Sequence, residues 1–228
     1  STHPLRNIAA EHEIVGIVES VPKKYKPIKA KLQRFFTRQK KDNSLKVIAS
    51  QMSVSYFLLQ RGKTNNLVSF VKKLNPDIIC VASMSQLLPK EVFSIPKYGT
   101  INFHPALLPK YRGPNPLFWQ YYFMEPESGA TIHYIDEGED TGDIIKQQNI
   151  PVSLGMNSKK LVNEITLAGT ALMAETLDEI NKGTVRCVPQ KHLPCSFRAR
   201  RVEEGEELID WEWPIERVWH FLRGTTYQ

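Results

Sequence analysis

The chain has 228 residues, 41% of them hydrophobic, which is enough for one α/β domain with a sizeable core or for a domain of about 180 residues plus an appendage. Its net charge of +6 is localised: Lys23 to Lys46 holds ten basic residues against Asp42 alone, so the remainder is net acidic and a uniformly basic protein is excluded. No apolar run approaches the ~18–20 residues of a membrane span and nothing at the start reads as a signal peptide, so a soluble, cytoplasmic protein without a membrane span is expected.

In chain order, Pro4 to Glu11 reads as the end of a helix and Ile14 to Val18 as a strand. An α/β domain usually begins with a strand, so the expectation is that a first strand precedes Ser1. The basic segment Lys23 to Lys46 follows; it could meet polyanions or anionic surfaces, although most charge runs are simply solvated. Leu67 to Leu74 has helical spacing, stopped by Asn75-Pro76. The apolar run Asp77 to Ala82 predicts a parallel strand buried on both faces, and places Cys80 in it. A loop over Ser83 to Leu88, a short helix near Pro89 to Phe93 and a strand over Gly99 to His104 come next.

Pro105 to Gly113 is too rich in Pro and Gly to continue that strand. A helix over Asn115 to Phe123, a strand over Ala130 to Ile135, a tight loop from Asp136 to Asp143 and a strand over Ile144 to Ile150 are predicted. Leu161, Ile165, Ala168, Leu172 and Leu177 fall on one helical face between Asn157 and Ile180, with Asn157 or Ser158 as cap and Gly183 as terminator. Thr184 to Trp213 is irregular, and a short helix closes the chain over Ile215 to Leu222. Strands alternating with helices imply a doubly wound, mostly parallel sheet whose ligands sit at the carboxyl ends of the strands. The domain expected is residues 1–183, with 184–228 a linker and the start of a further region.

Asn102 and His104 stand two apart on a predicted strand, so both side chains point to the same face. An amide beside an imidazole suits acyl transfer: the amide donates to an oxygen that becomes negative, and the imidazole moves a proton. Alone, the pair is equally a polar strand end. The loop Asp136 to Asp143 crowds five carboxylates with two glycines, and a carboxylate from it could orient His104; it is equally an acidic hairpin turn. Cys80, Cys187 and Cys195 are too few and scattered for a disulfide framework or a metal site. Neither GxGxxG nor GxxxxGK[ST] occurs, nor HExxH, and His133 reads as a core or surface residue.

The segments Gly99-Thr-Ile-Asn-Phe-His-Pro-Ala-Leu-Leu-Pro-Lys-Tyr-Arg-Gly113, Gly129 to His133 and Glu139 to Ile145, in that order, resemble the formyltransferase superfamily from about Ile14 to Gly183. That resemblance implies a Rossmann-like catalytic domain taking a formyl group from 10-formyltetrahydrofolate to a primary amine, with no metal. Asn102 would stabilise the oxyanion, His104 would shuttle the proton, and Asp140 would support His104. The folate would meet largely main chain, at Gln86, Leu87 and Leu88, at Leu107, Leu108 and Pro109, and at Asp136, Glu137, Gly138 and Glu139. The Leu108–Pro109 bond is a candidate for the cis form. Ala106 departs from the serine usual in relatives, and Pro114 stands where some sugar enzymes are basic.

Ile209 to Gly224 resembles the segment that leads to a C-terminal domain in tRNA and sugar enzymes, so an anionic acceptor is implied and a truncated C-terminal extension is expected. The basic segment favours tRNA phosphates, but its embedded Leu32, Phe35 and Phe36 do not follow the usual insertion. Arg198-Ala-Arg-Arg201 with Ile209-Asp-Trp211 tips the reading to a nucleotide-linked amino sugar, with initiator Met-tRNA as the alternative and a non-catalytic folate- or nucleic-acid-binding relative behind both. A homodimer is left open.

Overall fold

The computed structural model describes residues 8–21, 44–190 and 197–225. Most of the basic segment, the first half of the expected opening helix and Cys195 lie outside them. Cα packing divides the chain into two compact units: Ser1–Ile79 with Met84–Gly99, and Cys80–Ser83 with Thr100–Gln228.

The first unit contains β1 (Gly16–Ser20), α1 (Leu45–Gln51), β2 (Ser55–Leu59), α2 (Thr64–Leu74) and α3 (Lys90–Phe93). β1 and β2 pair in parallel, Gly16 opposite Ser55 and Ser20 opposite Leu59. β1 therefore starts two residues later than hydropathy suggests, because its partner, and not its own apolar run, sets its ends. α1 and β2 were not foreseen; Ser44 caps α1 by accepting from the Val47 N–H at 3.3 Å. Two apolar clusters hold the unit: Ile17, Ile48 and Ala49 in one, Leu59, Leu67, Val71 and Val92 in the other. Leu67 and Val71 stand one turn apart on α2, which ends as expected at Asn75 in the left-handed conformation.

The second unit carries β3 (Ile79–Ala82), β4 (Thr100–His104), α4 (Pro116–Tyr122), β5 (Glu127–Tyr134), β6 (Ile144–Pro151), α5 (Ser158–Lys182) and α6 (Ile215–Thr225). The four strands lie in the order β3-β4-β5-β6. β4–β5 and β5–β6 are antiparallel; between β5 and β6 the short Asp136 to Asp143 loop leaves no room for the crossover a parallel pair needs. The fold is thus α/β in class, with a parallel pair in the first unit and antiparallel pairs in the second. β3 is an edge strand of this sheet, and only Val81 is buried in it; Cys80 and Ala82 are exposed, unlike the strand buried on both faces that was expected.

α5 starts at its Asn157 cap, whose side chain accepts from the Lys159 N–H at 2.9 Å, and stops at Gly183. Its buried stripe includes Leu161, Ile165, Ala168, Leu172 and Leu177, and Gly169 lies flat against the Phe103 ring. Because strand neighbours alternate, Phe103 facing α5 sends Asn102 and His104 to the opposite face. A second cluster, Ala106, Tyr111, Phe118, Trp119, Ala199 and Phe221, joins the loop after β4 to α4, α6 and the segment before α6. Among the described residues, no helix is long and apolar enough to cross a membrane.

Candidate active site

The site is built entirely from the second unit. β4 supplies Asn102 and His104, and the register puts His133 opposite Asn102 and Thr131 opposite His104 on β5. Thr131, fully buried, ties the loop after β4 to the sheet: its hydroxyl donates to the Ala106 carbonyl at 2.6 Å and accepts from the Leu108 N–H at 3.3 Å. The Leu108 carbonyl accepts from Gln147 at 2.8 Å, and the Leu108–Pro109 bond is cis, as expected.

The loop then turns back under β4. Tyr111 adopts a left-handed conformation, φ 59°, and its carbonyl accepts from His104 Nε2 at 2.9 Å. A carbonyl can only accept, so Nε2 carries a hydrogen and Nδ1 is left as the basic nitrogen. Nδ1 faces the Asp140 carboxylate at 3.4 Å. That carboxylate also accepts from the Gly113 N–H at 2.8 Å and from the Asn102 amide at 3.4 Å, and lies 3.6 Å from His133 Nε2. The Asn102 amide donates its other hydrogen to His133 Nε2 at 3.1 Å, while His133 Nδ1 donates to the Tyr134 carbonyl at 2.8 Å. Two imidazoles, an amide and a carboxylate thus form one closed network.

Electrostatics separate the two titrating partners. Burial pushes the His104 imidazole below its ordinary pKa; Asp140 and the Tyr111 carbonyl oppose this without overcoming it. Burial alone would raise Asp140, but the neighbouring His133, the nearby His104 and the Gly113 N–H together hold it below the usual carboxylate range. Near neutrality the site therefore holds a neutral base beside an ionised acid.

The acidic loop is held from outside the motif. Asp140 has a left-handed backbone, φ 54°, which costs a non-glycine residue about 1–3 kcal/mol and persists only where its surroundings over-determine it. Gln190, 2% exposed, supplies that determination: its amide donates to the carbonyls of Asp140 at 3.2 Å and Gly142 at 2.5 Å. Its oxygen accepts twice from Arg112, at 3.1 and 2.7 Å. A Cβ on Gly142 would lie 1.9 Å from the Tyr134 carbonyl, so no side chain fits there. On the other flank Gly113, φ 115°, leaves no space for a Cβ, which would lie 2.8 Å from the Ala199 carbonyl. Ala199 in turn bonds the loop twice, its N–H donating to Arg112 at 2.7 Å and its carbonyl accepting from Asn115 at 3.0 Å.

Asn102, His104 and Asp140 are thus brought together. Asp136 to Glu139 form the exposed to half-buried crown of the same loop, where Asp136 accepts from the Gly138 N–H and the Thr141 hydroxyl, and Glu139 pairs with Arg198. Leu107 packs beside Gly129, and Leu108 has both main-chain groups committed to protein. Gln86, Leu87 and Leu88 belong to the first unit, Leu87 being largely exposed. Sequence reasoning passed over His133, Tyr111, Arg112 and Gln190. His133 was recoverable from register, since it falls opposite Asn102 once β4 and β5 pair; Gln190 carried no signal, being one polar residue in an irregular stretch.

The family profile described as Formyl transferase matches residues 5–177. A methionyl-tRNA formyltransferase of Citrifermentans bemidjiense is 35% identical over 185 residues, 80% of this chain and 57% of that protein. The chain therefore spans little more than half the length of such relatives. Two solved structures share the fold. A 4-N formyltransferase from Francisella tularensis superposes with a TM-score of 0.67 at 20% identity, covering 97% of this chain and 81% of that one. WlaRD, a sugar 3N-formyl transferase solved in the presence of dTDP and 5-N-formyl-THF, gives 0.68 at 17% identity over 97% of this chain and 73% of that one.

Proposed function

The chain belongs to the formyltransferase family, and on that footing we propose that it moves a formyl group from 10-formyltetrahydrofolate to a primary amine. The observation that carries the reading is the His104 ring, fixed through Nε2–H to the Tyr111 carbonyl with Nδ1 turned to Asp140 beside the Asn102 amide. Transfer to an amine needs three things: removal of a proton from the attacking nitrogen, stabilisation of the oxygen that gains charge, and return of a proton to the departing nitrogen. His104 Nδ1 takes the first proton, and the adjacent Asp140 carboxylate stabilises the imidazolium that results. The same nitrogen then gives the proton to the leaving amine of the folate. Asn102 exchanges its long 3.4 Å bond to Asp140 for the developing oxyanion, keeping the shorter bond to His133 that holds its amide plane. No step uses a metal, and no acyl-enzyme is formed.

For the acceptor, the 35% identical methionyl-tRNA formyltransferase favours initiator Met-tRNA, which the basic segment Lys23 to Lys46 suits through its phosphates. This reverses the order suggested by Arg198 to Arg201 together with Ile209 to Trp211. An amine-bearing nucleotide sugar is the second reading, supported by similarity of fold to WlaRD, a sugar 3N-formyl transferase. The cytoplasm is the proposed compartment, and residues 1–183 the proposed catalytic part. The deciding measurement supplies 10-formyltetrahydrofolate with charged initiator tRNA or with 3- and 4-amino nucleotide sugars, and reads product mass. Formylated Met-tRNA is expected; a formylated sugar alone would reverse the acceptor, and folate binding without transfer to any amine would make the chain a non-catalytic relative.

A further inference from the structure

We infer that the hydrogen bond between Tyr111 and Glu125 is a positioning device for His104, holding the Tyr111 carbonyl on Nε2–H and so deciding which ring nitrogen exchanges protons. The inference rests on the formyl-transfer reading for its catalytic meaning, though not for its geometry. Tyr111 is 5% exposed and left-handed, a backbone state that an L-residue keeps only when it is tethered from several sides. Three tethers are present. Its N–H donates to the Phe197 carbonyl at 3.0 Å, its carbonyl accepts from His104 at 2.9 Å, and its hydroxyl donates to Glu125 Oε1 at 2.6 Å.

Glu125 is itself fixed just beyond α4, its N–H donating to the Gln120 carbonyl at 2.9 Å after the left-handed Met124. The hydroxyl bond thus fastens the turn under β4 to the end of a helix. Burial first, and the neighbouring carboxylate second, push the Tyr111 phenol well above its ordinary pKa, so it remains a donor throughout the working range. A cleft with room for little more than a water molecule, lined by Leu107, Lys110, Gln120, Glu127 and Ser128, borders the pair, so cutting the bond leaves slack beside the ring. The turn can then relax, and the carbonyl leaves Nε2.

The groups acting on His104 are Asp140 and Glu139 from the acidic loop, His133 from β5 and the Tyr111 carbonyl. Asp140, Glu139 and the carbonyl favour the charged ring, whereas His133 opposes it. Losing the carbonyl therefore lowers the imidazole pKa and frees Nε2–H to move to Nδ1. Tyr111→Phe keeps the ring that packs on Phe197 and deletes only the tether. Glu125→Ala cuts the same bond from the other side, and Glu125→Gln retains an accepting oxygen.

The test labels histidine with ¹⁵N in the full chain and reads the His104 tautomer and titration midpoint, alongside formyl transfer. In Tyr111→Phe and Glu125→Ala the Nε2–H form is expected to lose its dominance, the midpoint to fall by about half to one pH unit, and kcat to fall about tenfold with KM nearly constant. Glu125→Gln is expected to stay close to wild type in all three. An unchanged tautomer and midpoint in Tyr111→Phe, or in Glu125→Ala should the first variant not fold, overturns the inference whatever the activity. A wild-type protein with a dominant Nε2–H form and no formyl transfer overturns the functional reading and leaves the positioning role standing.

Discussion

The two units are held together by different means. In the first, the buried residues that matter are Leu59, Leu67, Val71, Val92, Ile17, Ile48 and Ala49, all apolar. In the second, the core is studded with buried polar side chains, among them His104, Gln120, Ser128, Thr131, His133, Gln190 and His220; among the described residues every buried polar one lies there. Burying a polar group costs free energy unless it finds a partner, so a fold that tolerates so many in one place retains them for a purpose other than stability. Among them His104 and His133 meet at the Asp140 carboxylate while Gln190 braces its loop, and that concentration, more than any single residue, marks the chemistry.

This contrast can be attacked directly. The largest effect is expected at the centre of the polar network: His104→Ala and Asn102→Ala should each lower turnover by roughly 10²–10⁴ with the circular dichroism spectrum unchanged. Near-normal rates in either would remove the functional meaning of the buried polar cluster. In the apolar unit, Leu67→Ala should lower unfolding free energy by about 2–5 kcal/mol, read from a denaturant midpoint, while the titration of His104 in the folded fraction keeps its position. A shifted titration would show that the two units do not divide their roles as described.

Gln190→Ala is expected to cost about 1–3 kcal/mol in stability, since two carbonyls and the Arg112 guanidinium lose a buried partner. It should also lower kcat, because Asp140 would be free to leave its left-handed conformation; a stability loss with unaltered kcat would reduce Gln190 to a structural residue. The smallest effect is in pH. His104 has a depressed folded pKa, so the acid limb of kcat/KM should lie below the ordinary imidazole value of about 6.5. Asp140 raises that pKa, so Asp140→Asn should move the limb lower still. The same depression means that an unfolded chain takes up the proton first, so stability is full above about pH 6.5 and declines as pH falls toward the folded pKa. Stability that is flat from pH 7 to 5 would contradict a buried neutral His104.

How far this could be read beforehand varies with what determines each feature. α2, α5 and the strands from β3 to β6 were legible because their apolar spacing, caps and breakers act locally: Asn75 and Gly183 stop helices in left-handed turns, as their side chains or lack of one allow. α1 begins at Leu45 inside the charge run that ends at Lys46, and β2 follows it closely; neither was foreseen beside that run. Asn102, His104 and Asp140 were found through a motif, but the atoms that make them work together were not. The Tyr111 carbonyl, the Gly113 N–H and the Gln190 amide are chosen by tertiary placement, and main-chain groups have no letter in the sequence. Even the Asn102–His133 pair needs the β4–β5 register before two distant polar residues become neighbours.

The short run of main chain from Phe197 to Ala199 has a bearing on how portable this chemistry is. A shorter piece ending at Gly183 would keep every side chain named as catalytic, yet it would forfeit the bonds from Tyr111 to Phe197 and from Arg112 and Asn115 to Ala199. The turn beneath His104 would then have no outer wall, and Gln190 would be gone from behind Asp140. Anyone transplanting this centre into another scaffold, or exchanging its acceptor side for a relative's, would have to carry that stretch along with the motif.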